Sequence, residues 1–257
     1  MITPSDCPFD VYSEALNDTI SIEIALPEGY SDFPEEQYTS IYLLDANYFF
    51  DEAPGTLDEY LTRGQGMTNT VQCLTDSGIV PASILIGIDY TEEQRTRFTV
   101  EDVADFYRFF TDELIPVIES KYRVSKSSDD RVLFGYSSSA HFSTYALMND
   151  VFTGVETFSK FISVSGVYTD SLEACKLEEQ IFQSGNADAF SGRSLFIAVG
   201  ADDSNLELLN NHRLFSERLV NRGYTNFRTG STEYPDRGHY DIPEFAFSEG
   251  LIFLFSR

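Results

Sequence analysis

The order of apolar segments predicts an α/β fold with a mostly parallel eight-stranded sheet, an N-terminal antiparallel hairpin and helices on both faces. Three observations carry this. Period-two alternation marks the first segments, short and nearly continuous apolar runs recur along the rest of the chain, and longer helix-like segments separate those runs. Continuous runs suit parallel strands buried on both faces, and their alternation with helices implies right-handed crossovers.

The alternation at 9–16 and again at 19–26, with the turn residues Asn17 and Asp18 between, reads as the hairpin. Five apolar runs follow, at 41–44, 84–88, 132–134, 161–164 and 195–199, and a last strand is expected at 227–234. Helices are expected at 100–120, at 138–148 and at 206–221, the last closed by Gly223. The segment 241–255 opens with Pro243 and spaces Phe245, Leu251, Phe253 and Leu254 as one apolar side, which predicts a packing helix. No repeat, low-complexity tract or linker interrupts the pattern, so residues 1–257 are expected to form a single domain.

Composition narrows the function. The chain has 257 residues, 42% of them hydrophobic, with 22 Phe and no Trp, enough to bury an aromatic core. No apolar run approaches the roughly 20 residues that cross a bilayer. Forty-two acidic residues against 17 basic ones leave a formal charge of −25, which disfavours nucleic acid and anionic membranes as partners. An acid excess with only four Lys fits a salty milieu, and it fits plain solubility as well. The start of the chain has no basic segment followed by an apolar one, so a cytoplasmic location is expected. Cys7, Cys73 and Cys175 are odd in number and far apart, which predicts reduced, mostly buried thiols rather than a disulfide framework or a zinc site.

The chemistry is concentrated at Arg131-Val-Leu-Phe-Gly-Tyr-Ser-Ser-Ser-Ala140. A buried strand ending on Gly135, two residues before Ser137, is how a strand–turn–helix mounts a serine nucleophile. Ser139 stands where the G-x-S-x-G pattern has its second glycine, and Ser137 to Ser139 also read as a helix N-cap cluster. A serine hydroxyl needs a base, usually a histidine oriented by a carboxylate. His141 lies one helical turn beyond Ser137 and is expected to face away from the cleft or pack against the strand, while His212 is expected to be a solvated or half-buried surface residue of a helix. His239, in a turn-rich loop between the last strand and the closing helix, is the favoured base. Asp202 and Asp203, in the loop after the run at 195–199, are the candidate acids, with helix N-capping as their structural alternative. Ser137, Asp203, His239 is the Ser…Asp…His order of α/β-hydrolases.

At Tyr42-Leu-Leu-Asp-Ala-Asn-Tyr48, Arg95-Thr-Arg-Phe-Thr99, the Phe109 to Arg123 stretch with Glu-Leu-Ile-Pro, Gly135-Tyr-Ser137 and His239-Tyr-Asp-Ile-Pro243, the chain resembles the esterase D-like esterases, a family that includes siderophore esterases and mycolyltransferases. The resemblance runs from about residue 9 to the C-terminus. It implies an α/β-hydrolase fold, a carboxylic-ester hydrolase acting on small or medium soluble esters through an acyl-serine, and no metal or organic cofactor. It maps the acid onto Asp203, counted from Gly200, with Asp202 as the alternative. It places the backbone N–H groups of Asn47 and Ser138 in the oxyanion hole, with Ala46 replacing the family's glycine. Arg95, Arg97, Tyr48, Tyr136 and Tyr240 are candidate pocket residues, with a fastening role for the arginines and packing for the tyrosines as the structural alternatives. A siderophore-ester hydrolase and a non-catalytic binding domain are the competing functions.

Overall fold

The computed structural model describes residues 1, 7–50, 66–202 and 205–256. Eight strands form one sheet: β1 (Phe9–Ser13), β2 (Asp18–Ala25), β3 (Thr39–Leu44), β4 (Ser83–Asp89), β5 (Arg131–Tyr136), β6 (Lys160–Val164), β7 (Ser194–Gly200) and β8 (Arg228–Tyr234). Their order is β1-β2-β4-β3-β5-β6-β7-β8. The β1–β2 and β2–β4 pairs are antiparallel, and every other pair is parallel. Asn17 takes a positive φ of 50° in the hairpin turn, a conformation asparagine tolerates well.

The pleat of β3 divides the core in two. Tyr42 and Leu44 point into one apolar cluster, and Ile41 and Leu43 into the other. The first is ring-rich: Phe110 packs on Tyr42, Phe106, Phe142 and Phe158 with centroids 5.2–6.1 Å apart. The second gathers Phe49, Phe134 and Phe247. This is where the many phenylalanines go.

Two helices differ from expectation. The single helix expected at 100–120 is broken at Asp102 and widens to a π-turn over Phe109–Leu114 before Ile115–Lys121. Pro116 has no N–H to give to the preceding turn and its ring crowds that turn, so the helix widens there. In the closing helix, Pro243–Phe255, the buried face is Ala246, Phe247, Gly250, Leu251 and Leu254, the i, i+1, i+4, i+5, i+8 stripe of a 3.6-residue period. Phe245, expected on that face, is instead half exposed and lies under the Arg237 guanidinium at 3.6 Å.

None of the three cysteines is in a disulfide, and only Cys175 is buried. Cys73 is exposed on the helix Met67–Asp76, which corrects the expectation of mostly buried thiols. Among the described residues no helix is long and apolar enough to cross a membrane.

Candidate active site

β5 is buried along its whole length and delivers the chain to Ser137, whose φ of 57° and ψ of −118° are far from the ordinary regions for a side-chain-bearing residue. Its N–H donates to Val164 O at 2.8 Å, and the helix Ser138–Thr153 starts at the next residue. That abrupt reversal presses the helix onto the strand. A Cβ at Gly135 would lie 2.1 Å from Ser139 O, so only glycine fits there. Strain of this kind persists only where its surroundings hold it.

Asp45 does much of that holding. It ends β3 in the left-handed conformation, φ 62°, and its side chain is wholly buried. The carboxylate accepts from Arg95 Nε at 2.6 Å and Nη2 at 3.3 Å, from Tyr90 OH at 3.0 Å, and from Ser139 Oγ at 3.0 Å. Arg95 Nη2 also donates to Tyr136 O at 2.9 Å. One ion pair thus ties the turn after β3 to both sides of Ser137. Burial works against the Arg95 charge, but Asp45 outweighs it and holds the guanidinium above its ordinary pKa. The serine in the second glycine position has a use here: Ser139 is fully buried with its hydroxyl bonded into this network. Ala46 lies against Gly87 of the adjacent β4, which must stay glycine because a Cβ there would be only 2.7 Å from Ala46 Cβ.

Two helix starts converge on this place. Asn47 is in the first turn of Ala46–Phe49, and Ser138 is the first residue of Ser138–Thr153. First-turn amides have no intrahelical acceptor, and among the described residues neither N–H finds another. They are free to bind an oxygen that carries negative charge.

His239 opens a short 3₁₀ turn, His239–Asp241, after β8. Tyr136, the neighbour of Ser137, donates from its hydroxyl to His239 O at 3.0 Å and stacks on the imidazole with centroids 4.9 Å apart. This sets the histidine beside the serine turn, although among the described residues the two side chains make no direct hydrogen bond. Burial, assisted by the Arg95 cation, lowers the His239 pKa to about 4, so the ring is neutral at pH 7 and able to accept a proton. Its Nδ1 is buried and lacks a partner among the described residues.

The acid loop touches the histidine loop through its backbone. A Cβ on Gly200 would lie 2.5 Å from Gly238 C, and Asp202 N–H donates to Arg237 O at 3.1 Å. The Asp202 carboxylate lies against Gly238, where a Cβ would be 2.7 Å from Oδ2. Asp203 lies outside the described residues.

Arg97 bonds Asp18, Asp102 and Leu16 O, fastening the hairpin. Tyr48 is buried edge-on against Phe49, and Tyr240 is exposed with its ring edge-on to His239. His212, expected at the surface, is buried and 2.9 Å from Ser231 Oγ, because its helix turns that side onto β8. Tyr90, the second hydroxyl on Asp45, was not foreseen, since a lone tyrosine after a strand carries no sequence signal. Neither was Ser165, which follows β6 with φ 51° and a buried Oγ that has no partner among the described residues.

A family model described as "Putative esterase" matches residues 13–236. The chain belongs to that esterase family. The esterase has an α/β-hydrolase fold and is a carboxylic-ester hydrolase. Solved structures share its architecture. An IroE-like serine hydrolase from Shewanella oneidensis is 21% identical, with a TM-score of 0.77 over 99% of this chain and 80% of its own. The BES protein from Bacillus cereus is 20% identical, with a TM-score of 0.76 over 100% and 97%. The siderophore hydrolase EstA from Aspergillus nidulans is 18% identical, with a TM-score of 0.70 over 99% and 96%. No curated protein sequence matches the esterase.

Proposed function

We propose that the esterase hydrolyses a small or medium carboxylic ester through an acyl-enzyme on Ser137, with His239 as base and Asp203 as the carboxylate that orients it. The observation that supports this most directly is the strained Ser137 turn beside a neutral, half-buried His239 whose buried Nδ1 lacks a partner among the described residues. Ser137 Oγ attacks the carbonyl carbon while its proton passes to His239 Nε2. The carbonyl oxygen becomes an oxyanion and accepts from the N–H groups of Asn47 and Ser138, each worth about 3 kcal/mol in the transition state. Collapse breaks the bond to the alkoxide, which leaves with the proton from His239. Water then gives a proton to His239 and attacks the acyl-serine, and Ser137 recovers its proton as the acid departs.

Incubation with a fluorophosphonate and with nitrophenyl esters from acetate to octanoate tests the assignment. Wild type labels and turns over, and Ser137→Ala does neither; an unlabelled wild type would favour a binding domain without catalysis. For the acid, Asp203→Asn should lower kcat by roughly 10⁴-fold and shift the acidic limb of the pH profile downward, because a carboxylate no longer supports the imidazolium. Asp202→Asn should leave both in place, and the reverse result would assign Asp202.

Siderophore esters are a second reading, supported by the likeness to a siderophore hydrolase. The net charge of −25 opposes it for anionic catecholate complexes. Turnover of a catecholate ester at a rate above that of the nitrophenyl esters would favour this reading.

A further inference from the structure

One helical turn beyond Ser137, on the side that faces the segments before and after the break at Asp102, lies a cavity of about 420 Å³. It sits between the Val100–Asp105 segment, the helix Ser138–Thr153 and the start of Glu173–Gln183. Its volume is within the usual range for small-molecule sites. The buried members are His141, only 2% exposed, Tyr145, 5% exposed, and Val103, and acids surround them at Glu101, Asp102, Asp105 and Glu173.

His141 distinguishes this cavity from an ordinary acidic patch. A polar ring so thoroughly buried normally has its nitrogens bonded, yet among the described residues neither ring nitrogen has a hydrogen-bond partner. The nitrogens are not sealed in the protein interior either, as Nδ1 of His212 and of His239 are. They are left to the cavity that the residue lines. Burial lowers the pKa of His141 to about 4, with Glu173 pulling the other way, so near neutral pH the imidazole offers an acceptor lone pair to a donor in the cavity.

The charges select the donor. Asp102 is paired with Arg97 at 2.9 Å, Asp105 with Arg108 at 3.2 Å and Glu173 with Lys176 at 3.2 Å. Glu101 makes no ion pair among the described residues, so the cavity keeps an uncompensated negative charge at its rim. An anion would be repelled. A metal ion is poorly served, because among the described residues no three His, Cys, Asp or Glu side chains are grouped to hold one. An ammonium group fits: Glu101 supplies the charge, the His141 nitrogen accepts an N–H, and Tyr145 adds an aromatic side chain to the lining. Val103 and Leu172 can cover an aliphatic stem.

We propose that this cavity is a second ligand site of the esterase, one that takes a small organic cation bearing a primary ammonium group on a short aliphatic chain. The site is separate from the ester-cleaving machinery, and its existence does not depend on the roles assigned to Ser137 and His239.

Titration calorimetry with 1,4-diaminobutane near pH 8 tests it, with the neutral 1,4-butanediol as comparator and the His141 ring proton followed by NMR. The diamine should bind saturably below about 10 mM, shift the His141 resonance, and bind Ser137→Ala as well as wild type. The diol should not bind. Glu101→Gln, at an exposed position that tolerates change, and His141→Gln should each weaken the diamine by about tenfold, with melting curves confirming that both variants fold. No saturable diamine binding, equal binding of the diol, or an affinity indifferent to Glu101→Gln would overturn the proposal.

Discussion

Arg95 and Asp45 form a 2.6 Å ion pair in which the carboxylate is entirely buried and the guanidinium also grips Tyr136 O, the carbonyl immediately before Ser137. Two turns far apart in the chain, at Asp45 and at Ser137, are thereby held as one unit. Breaking such a pair from one side leaves a buried charge without its partner, so Arg95→Met should cost about 3–5 kcal/mol in urea unfolding. Adding Asp45→Asn to Arg95→Met should restore part of the loss. A double variant no more stable than Arg95→Met would show that the pair is not the source.

Tyr136 contacts His239 in two separable ways, through its hydroxyl and through its ring. Tyr136→Phe keeps the ring and should lower stability by about 1 kcal/mol, with a small effect on kcat/KM for nitrophenyl acetate. Tyr136→Leu removes the stack as well and should lower kcat by about tenfold or more at similar KM. Equal kinetics for the two variants would mean that the ring does not position the imidazole.

Glycine is required at 135 and at 154 for different reasons. At 135 a methyl group would be driven into the Ser139 carbonyl, whereas at 154 the space is open and only the positive φ of 73° is unfavourable. Gly135→Ala should therefore cost about 3 kcal/mol or more and Gly154→Ala about 1–2 kcal/mol. Thermal melts of the two variants give the comparison, and a reversed order would refute the crowding argument.

Buried His212 makes stability depend on pH. Burial lowers its pKa from 6.5 to about 4 in the folded protein, so between those values the unfolded chain binds the extra proton. Its contribution is complete above pH 6.5 and is lost as the pH falls toward 4. His212→Gln keeps a partner for Ser231 but cannot titrate. It should reduce the slope of unfolding free energy over this window by about 1.4 kcal/mol per pH unit, one proton's worth. An unchanged slope in urea titrations would show that His212 is not buried in its neutral form.

Much was legible from local pattern alone. Strand positions followed from apolar runs because a strand buried on both faces must be apolar throughout, and the placing of Ser137, the Asp202 loop and His239 at successive strand ends was visible because each directly follows an apolar run or a strand-like segment. The motif departures at 46 and 139 were visible too, though not their meaning. The π-turn over Phe109–Leu114, the exposure of Phe245 and the burial of His212 were not legible, since each depends on what a neighbouring element presents to that face.

The amino-acid sequence by itself determined the alternating α/β order and the glycine that admits the Ser137 turn, and it supplied the residue types proposed for ester cleavage, all of which rest on short-range spacing and steric limits. Tertiary structure alone decided that Asp45 would meet Arg95, Tyr90 and Ser139, that Tyr136 would hold His239, and that His141 would open into an acidic cavity. Such meetings join residues from separate segments, and desolvation and charge pairing act only once folding has brought them within a few ångströms.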